Sequence, residues 1–267
     1  MFFKITSPST PSQRNLIKII NTNLSKKSLL KNKIKGSKTS SGRNSFGRIT
    51  IRHRGGGHKR KLRKLTFNRE NDSIGIILSI EYDPNRNSFI SAVYDFMAKN
   101  YYYILSPKGI TIGNIIKAGS SSNSLLGHST PLRKIPLGSY IHNVSLKKNM
   151  KGQVSRSAGT YSILLEKNLN YARIRLSSGK HKNISNTCFA TLGIVSNENI
   201  FLTSIGKAGR SRWLNKRPKT RGVAMNPIDH PHGGGEGKTS GGKIQLTPWG
   251  IPTKNRSTKK FYSNRNK

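Results

Sequence analysis

The residues best suited to chemistry lie in one glycine-rich segment near the C-terminus, Asn226–Thr239. A metal site here would use the side chains of Asp229, His230, His232 and Glu236. Pro231 and the glycine run provide no scaffold that would fix the geometry of such ligands, so we expect no metal. An imidazole could act as a general base near neutral pH, but the sequence identifies no nucleophile or orienting group beside it.

The same segment comes close to a phosphate-binding loop. Gly237-Lys238-Thr239 matches the end of that motif, but the first glycine the motif requires would stand at position 232, which is histidine. No apolar strand precedes the segment either, because Pro227 and Pro231 occupy that stretch. These departures exclude a nucleotidase. The favoured interpretation is an extended loop lying against RNA, with histidine rings and backbone N–H groups facing phosphate or 2′-hydroxyl groups.

A second block near the N-terminus, Gly42–Lys61, holds seven Lys or Arg and five Gly among its twenty residues. The planar arginine fork suits phosphate, and glycine lets backbone N–H groups approach it closely. Glycine alone would favour a solvated tail, whereas the dense arginine, with two histidines interleaved, favours RNA. The predicted RNA-binding residues of this block are Arg43, Arg48, Arg52, His53, Arg54, His58, Lys59 and Arg60.

A third basic block runs from Gly206 to Gly222. Trp213 stands among its cations, where the indole could stack on a base or pack on a neighbouring barrel, and the sequence leaves both alternatives open. From this block and the histidine segment, the predicted RNA-binding residues are Lys207, Arg210, Arg212, Trp213, Arg217, Arg221, His230, His232 and Lys238. We predict no catalytic residue.

The charge of the chain is very unevenly distributed. Its 267 residues carry 49 Lys or Arg against 9 Asp or Glu, a net charge of +40, and residues 1–69 contain no acid at all. Residues 70–198 carry +8 and residues 199–267 carry +13. Segments so basic and so poor in apolar pattern are expected to be disordered alone and to take their shape along a polyanion.

A membrane is the other common polyanion. The nearest amphipathic candidate, Leu16–Leu30, is interrupted by Asn21-Thr22-Asn23 and has no aromatic anchor, so no membrane partner is expected. No apolar run approaches the ~20 residues that span a bilayer. The single cysteine, Cys188, excludes an internal disulfide and lies in a β-prone run, where a buried small hydrophobe is favoured over a nucleophile.

Short β-prone runs separated by turn formers fill the middle of the chain, which indicates an all-β fold of two small barrels. The first set of runs is Ile74–Tyr82, Ser88–Asp95, Tyr101–Leu105, Ile110–Ile116 and Ser139–Leu146. The second set is Thr160–Leu165, Tyr171–Leu176, His181–Ile184 and Ala190–Val195. In Tyr171–Leu176, apolar residues alternate with Arg173 and Arg175, which predicts one buried and one cationic face. The predicted domains are a basic extension (1–69), two barrels (70–150 and 151–200) and a second extension (201–267).

These blocks resemble the family of ribosomal protein two of the large subunit, in its bacterial and organellar form. The resemblance covers nearly the whole chain. It rests on Gly42–Lys61, Glu81–Arg86, Ile104–Gly109, Ile135–Gly138, Arg156–Thr160, Gly206–Gly209, Met225–Gly237 and Thr247–Gly250, in that order. It implies an oligonucleotide-binding (OB) barrel followed by an SH3-like barrel, with both extensions in large-subunit rRNA. It also implies a place near the peptidyl transferase centre, contacts with other ribosomal proteins, and a small-subunit contact across the intersubunit face.

The chain departs from the family pattern in three places. Thr66 replaces an acidic residue, Met97-Ala98-Lys99-Asn100 stands where an Asp-Gly turn is common, and the C-terminal Asn264–Lys267 is less basic than usual. The many Lys, Asn and Ile residues are expected from AT-rich coding, and the N-terminus resembles that of the family itself. We therefore expect an organelle-encoded protein of the mitochondrion, with the plastid as the alternative.

Two functional hypotheses follow. The first is a structural protein that organises rRNA, with no small-molecule substrate and no cofactor apart from Mg²⁺ that the RNA would bring. The second is an RNA-modifying or RNA-cleaving enzyme that uses His230 or His232. The two cationic extensions and the family resemblance favour the first.

Overall fold

The structure, a computed structural model, describes residues 2–237, 242 and 244–254. Two compact units emerge from the chain's internal contacts. The first contains residues 1–41 and 56–215, and the second contains residues 42–55 and 216–267. Each unit therefore combines sequence from the N-terminal and the C-terminal parts of the chain.

The first unit is built on a ten-stranded sheet in the order β13-β12-β11-β10-β14-β9-β8-β5-β6-β7. All pairings are antiparallel except the single β8–β9 contact, Ala118 with Ser129. Two further two-stranded sheets pair β1 with β2 and β3 with β4. The strands are β1 (Phe2–Ile5), β2 (Ile17–Ile20), β3 (Ile34–Ser37), β4 (Arg60–Arg63), β5 (Ser73–Glu81), β6 (Ile90–Asp95), β7 (Asn100–Leu105), β8 (Ile115–Ala118), β9 (Ser129–Pro131), β10 (Tyr140–His142), β11 (Ser162–Lys167), β12 (Tyr171–Leu176), β13 (His181–Ser185) and β14 (Phe189–Leu192).

Helix is scarce in the described residues. It is limited to α1 (Ala208–Trp213) and the 3₁₀ turns Lys31–Lys33, Leu132–Lys134, Glu198–Leu202 and Gly222–Ala224. None of these helices is long and apolar enough to cross a membrane. The predicted all-β class, an OB barrel followed by an SH3-like barrel, is confirmed.

Two apolar clusters form the cores of the barrels. The first gathers Ile77, Ile80, Phe89, Val93, Ile104, Ile110 and Ile116. The second gathers Leu132, Ile135, Ile141, Val144, Leu164, Ala172, Ile174, Ile184, Cys188, Ala190 and Leu192. Because Leu132, Ile135 and Ile141 belong to it, the second core begins well before residue 151, where the sequence placed the start of the second barrel.

Most of the predicted strands occur, and β12 has the predicted bounds. Its burial alternates as expected, with Ala172 and Ile174 buried while the arginines between and beyond them are not. Two predicted strands are shorter than expected. Ile110–Ile116 forms a strand only from Ile115, because the turn at Gly113 (φ +89°) precedes it. Ser139–Leu146 ends at His142, because Asn143 adopts a left-handed conformation (φ +51°).

Part of the N-terminal extension lies on the outer face of the first barrel. Leu30 is buried in a third apolar cluster with Ile90, Ala92 and Tyr103, and Leu65 packs against it. The Tyr103 hydroxyl accepts a hydrogen bond from the Leu30 N–H (3.1 Å) and donates one to Glu81 Oε2 (2.9 Å). Glu81 Oε1 accepts from the Leu29 N–H (2.9 Å). Burial raises the pKa of Tyr103 to about 12, so the phenol stays protonated and able to donate.

The extensions otherwise bury few apolar side chains. β1 to β4 are short, and among residues 3–68, whose burial the structure describes, only Leu16 and Leu30 are buried hydrophobics. Such small strand pairs gain little from burial relative to the entropy lost on ordering them. That the extensions are disordered in the free chain stays a prediction.

A buried polar pair, Arg69 and His142, lies among the strands that join the two barrels. Arg69 donates to the carbonyl oxygens of Gly127 (2.9 Å) and Lys117 (3.4 Å), and burial lowers its pKa. The His142 ring is hydrogen-bonded through Nδ1 to the Gly193 carbonyl oxygen (2.9 Å). Burial, aided by the charge of Arg69, lowers the pKa of His142 to about 4, so this imidazole is neutral at physiological pH.

The Tyr103 hydroxyl yields the first prediction. In Tyr103→Phe the Leu30 N–H and one Glu81 oxygen lose their partner while remaining buried, so we expect the free energy of unfolding to fall by about 1–3 kcal/mol. Urea unfolding of the full chain measures this. Tyr101→Phe, which removes the same atom from an exposed ring, is the control and should change the value by less than about 0.5 kcal/mol. Equal losses in both variants would contradict the role given to Tyr103.

His142 yields the second prediction. Its pKa is lower in the folded chain than the usual 6.5, so the unfolded chain binds more protons between these values. Stability that is present above pH 6.5 should therefore be lost as the pH falls toward 4, by about 3 kcal/mol in total. In His142→Asn, whose amide can still donate to Gly193, this part of the pH dependence should disappear. Identical pH profiles of unfolding for the two proteins would contradict it.

Candidate nucleic-acid interface

Residues 42–55, the first part of the second unit, form a tight hairpin. The Gly42 carbonyl oxygen accepts hydrogen bonds from the N–H groups of Thr50 (2.9 Å) and Ile51 (3.1 Å). The Asn44 side chain closes the tip by accepting from the N–H groups of Phe46 (3.1 Å) and Arg48 (2.9 Å). Gly42 has a φ of +76°, and a Cβ there would lie 2.5 Å from the Ile51 oxygen, so glycine is required.

This hairpin exposes both charge and apolar surface. Arg43, Arg48, Arg52 and Arg54 are all exposed, and no acid occurs between residues 42 and 55. Phe46, at the tip, is 87% exposed. A solvated tail needs the cations but not the exposed aromatic ring, whereas both are useful on a surface that meets nucleic acid.

The hairpin pairs with the chain that follows α1. The Arg217 N–H donates to the His53 carbonyl oxygen (3.1 Å), and the His53 ring is hydrogen-bonded to the Pro218 oxygen (3.0 Å). Arg54 and Lys216 form an antiparallel bridge. Predicted RNA-binding residues that are over 150 positions apart in sequence are thus brought together within the second unit.

The histidine loop, residues 226–237, is held in one conformation by hydrogen bonds from backbone N–H groups. His230 is buried, and its Nδ1 accepts a hydrogen bond from the His232 N–H (3.0 Å). His232 Nε2 accepts from the Leu246 N–H (2.9 Å). The two rings stack with centroids 5.3 Å apart. Each imidazole therefore has one ring nitrogen engaged as the acceptor of a backbone hydrogen bond.

Glycines make this arrangement possible. A Cβ on Gly222 would lie 2.5 Å from ring atoms of His230, and one on Gly233 would lie 2.2 Å from the Asn226 oxygen. Gly234 has a φ of +82°, and a Cβ there would lie 2.6 Å from Pro227. The 3₁₀ turn Gly222–Ala224 thus packs directly against the His230 ring.

The hydrogen bonds of these histidines favour a structural role. In the part of the chain that the structure describes, no group of three or more His, Cys, Asp or Glu side chains could hold a metal ion. His230 and His232 each use one ring nitrogen to accept a hydrogen bond from a backbone N–H group. That nitrogen is therefore not available to a nucleophile. Lys238, predicted to bind RNA, lies outside the described residues.

Two exposed aromatic residues extend the candidate interface beyond the predicted set. Trp249 lies at the tip of a turn closed by hydrogen bonds between Thr247 and Ile251, and the Arg52 guanidinium lies 5.6 Å from its ring centroid. Phe46 is the other. The sequence analysis placed Phe46 in the basic block Gly42–Lys61 and Trp249 in the segment Thr247–Gly250 that resembles the family. It selected only cations, histidines and Trp213 as RNA-binding residues. An exposed ring beside arginine is the signal that would have identified them.

Arg221, which precedes the 3₁₀ turn Gly222–Ala224, is exposed in the second unit. The remaining predicted residues lie in the first unit. The His58 N–H donates to the Trp213 carbonyl oxygen (3.1 Å), and the Lys207 ammonium lies 5.2 Å from the Trp213 ring centroid. Trp213 is 54% exposed and lines an apolar groove of about 620 Å³ together with Leu16, Ile17 and Leu214. The indole packs on the N-terminal extension on one side and is open on the other.

Four other predicted cations of this unit differ in how they are engaged. Arg60 donates to the Pro84 oxygen (3.1 Å) and Arg210 to the Ile205 oxygen (2.6 Å), so both also stabilise the fold. Lys59 and Arg212 are both exposed. The ion pairs between described residues, Arg86–Asp83, Lys108–Glu198 and Arg173–Glu166, include none of the predicted RNA-binding residues.

Cys188 is buried in the second core, and burial raises the pKa of its thiol. A thiol so placed is a poor nucleophile, in agreement with the interpretation as a small core hydrophobe.

The contact between Gly222 and His230 yields the third prediction. In Gly222→Ala the new methyl group would overlap the His230 ring, so the loop must open. We expect the amide protons of His232, Gly233 and Gly234 to exchange at least tenfold faster, measured by hydrogen–deuterium exchange. Gly209→Ala, where no atom lies within 4 Å of the new Cβ, should leave their exchange unchanged. Unchanged protection in Gly222→Ala would contradict the packing described here.

Comparison with known sequences identifies the family to which this chain belongs. Residues 27–118 match the family model for the RNA-binding N-terminal domain of ribosomal proteins L2, and residues 125–250 match that for the C-terminal domain. The boundary between the matches, at residues 118–125, falls between β8 and β9.

Whole proteins from bacteria are similar over almost their full length. The large ribosomal subunit protein uL2 of the Wolbachia of Brugia malayi is 46% identical, covering 97% of this chain and 95% of its own length. The uL2 proteins of Rickettsia typhi (47%, with 97% and 95% covered) and Methylobacterium radiotolerans (46%, with 97% and 94%) are similar to the same degree. With two barrels, two basic segments joined in one unit and matches of this extent, the chain belongs to the ribosomal protein L2 (uL2) family of the large subunit.

Proposed function

We propose that this ribosomal protein binds and organises large-subunit rRNA near the peptidyl transferase centre and supports association of the two subunits in an organellar ribosome. As a member of a family of structural ribosomal proteins with an RNA-binding domain, it is not an enzyme. The proposal adds the place in the particle, the residues that contact RNA, the small-subunit contact and the compartment.

One observation carries the proposal: the second unit concentrates positive charge. It contains 16 Lys or Arg against two acids, Asp229 and Glu236. Its N-terminal hairpin holds four exposed arginines without any acid. Exposed cations at such density repel one another, and a phosphate backbone removes that repulsion while releasing counterions.

The histidine loop supports a shaping role at the RNA. Since His230 and His232 each accept a hydrogen bond from a backbone N–H, they fix the path of the loop. An imidazole nitrogen that carries a proton can donate a hydrogen bond to phosphate or to a 2′-hydroxyl group. We propose that these rings position the loop against rRNA and take no proton during peptide-bond formation.

The cellular compartment is proposed from the amino-acid composition and from sequence similarity to bacterial proteins. The chain holds 30 Lys and 25 Asn, a bias expected from AT-rich coding. The relatives in Wolbachia, Rickettsia and Methylobacterium are alphaproteobacterial. We propose the mitochondrial ribosome, with the plastid ribosome as the alternative. Fractionation of organelles followed by immunodetection in the large subunit distinguishes them.

Charge reversal in the hairpin tests the RNA contact. The double variant Arg52→Glu/Arg54→Glu places two acids where we propose phosphate, so affinity for purified large-subunit rRNA should fall at least a hundredfold at physiological salt. The slope of log K against log salt concentration should also become less steep by about 2, because roughly one counterion is released per phosphate contact.

The matched control is Lys147→Glu/Lys151→Glu, the same charge change at two exposed positions of the barrel region. It should alter affinity much less and leave large-subunit yield normal. If the hairpin variant bound rRNA as tightly as the control and assembled normally, these arginines would not be at the RNA.

A further inference from the structure

The outer face of the first barrel is apolar or aromatic on β6 and β7, and its register places the charged residues Glu81 on β5 and Lys117 on β8 beside it. On β6 and β7, Ala92 pairs with Tyr103, and Tyr94 pairs with Tyr101 two residues further along each strand. Residues two apart on a strand point to the same side of the sheet. Ala92 and Tyr103 therefore share a face with Tyr94 and Tyr101.

The chain itself covers only one half of this face. Around Ala92 and Tyr103, Leu30 and Leu65 of the N-terminal extension pack on the sheet, and the strand residues there are completely buried. Around Tyr94 and Tyr101 the face stays open. Tyr101 is 45% exposed although it is continuous with the covered half.

The open half spans four strands. Register pairs Tyr94 with Ile76 on β5, and Ile76 with Ile115 on β8. The Tyr94 ring lies 4.9 Å from Tyr101 and 5.5 Å from Phe96, centroid to centroid. Phe96 is 50% and Ile115 57% exposed. We call this the open apolar face, formed by Ile74, Ile76, Tyr94, Phe96, Tyr101 and Ile115.

The turn that presents Phe96 is fixed in advance. The buried Asp95 carboxylate accepts hydrogen bonds from the N–H groups of Met97 (2.9 Å) and Ala98 (3.3 Å), and the Phe96 N–H donates to the Ile74 oxygen (2.8 Å). A surface that needs no ordering on binding loses less entropy when a partner docks. Exposed aromatic and methionine side chains are also typical of protein interfaces.

Charge identifies the kind of partner. Between Ser88 and Pro107, which includes β6 and β7, the only charged residues are Asp95 and Lys99. The β12–β13 hairpin of the second barrel instead carries Arg173, Arg175, Lys180 and Lys182 with no acid between residues 171 and 185. Phosphate has little to bind on the first hairpin and much on the second.

We propose that the open apolar face is the docking surface for an apolar segment of another protein of the same ribosomal subunit. That segment continues the cover that Leu30 and Leu65 provide on the adjoining half. The proposal rests on the proposed function, because the partner must belong to the particle that contains this chain.

Site-directed photo-crosslinking tests the proposal. The full chain carrying p-benzoyl-phenylalanine in place of Phe96 is assembled into large subunits, irradiated and analysed for its crosslinked product. We expect one ribosomal protein as the product, in at least tenfold excess over a chain labelled at Leu169, which is 99% exposed in the β11–β12 turn. A crosslink to rRNA, to a second copy or within this chain, or no product above the Leu169 control, would overturn the proposal.

A double variant separates this outcome from the proposed function. Phe96→Ser/Tyr101→Ser changes exposed rings only, so affinity for purified rRNA should stay within twofold while the crosslinked protein is at least tenfold depleted from the subunits. Leu169→Ser should deplete nothing. If subunits containing the double variant still held the crosslinked protein at full occupancy, the proposed docking surface would be wrong. If the wild-type chain did not bind purified rRNA, that result would instead contradict the proposed function.

Discussion

Repulsion among uncompensated cations governs this molecule. At physiological ionic strength charges are screened over only about 8 Å, but the arginines of the hairpin at residues 42–55 are close neighbours in sequence and lack acids among them. The chain nevertheless joins this hairpin to residues 216–218 through backbone hydrogen bonds and the His53 ring. Bringing two basic segments together costs energy, which a nucleic acid phosphate backbone offsets. On the proposed function, this phosphate backbone is that of the large-subunit rRNA.

The conformation of the histidine loop is determined largely by steric fit. Three glycines leave room that a single Cβ would fill, and the two imidazoles accept backbone hydrogen bonds inside that space. A histidine serving as a general base must keep its acceptor nitrogen for the substrate's proton. Here that nitrogen is engaged by the loop, so the histidines are better explained as the parts that give a flexible, glycine-rich segment one shape.

Sequence reasoning identified what depends on local pattern. The alternation in Tyr171–Leu176 fixed both the bounds and the buried face of β12, and Asp83 makes the turn its sequence predicts, accepting from the Asn85 N–H (2.9 Å). It missed what depends on distant partners. β9 is three residues containing Pro131, and it exists because β14 pairs with it. β3 needs β4, more than 20 residues away. The acceptor roles of His230 and His232 likewise follow from loop geometry that no spacing rule encodes.

The outer faces of the two barrels differ in chemical character. On β12 the residues facing away from the core include Arg173 and Arg175, so the sheet presents charge. On β6 and β7 they include Ala92, Tyr94 and Tyr101, so the sheet presents apolar area. The chain supplies Leu30 and Leu65 to cover part of that area and fixes the cover with the buried Tyr103–Glu81 hydrogen bond. An outer face that is partly covered by the chain's own leucines, and elsewhere offers rigid aromatic rings with little charge, fits a polypeptide better than RNA. On the two proposals made above, the chain meets nucleic acid through its extensions and a neighbouring protein through one side of its first barrel.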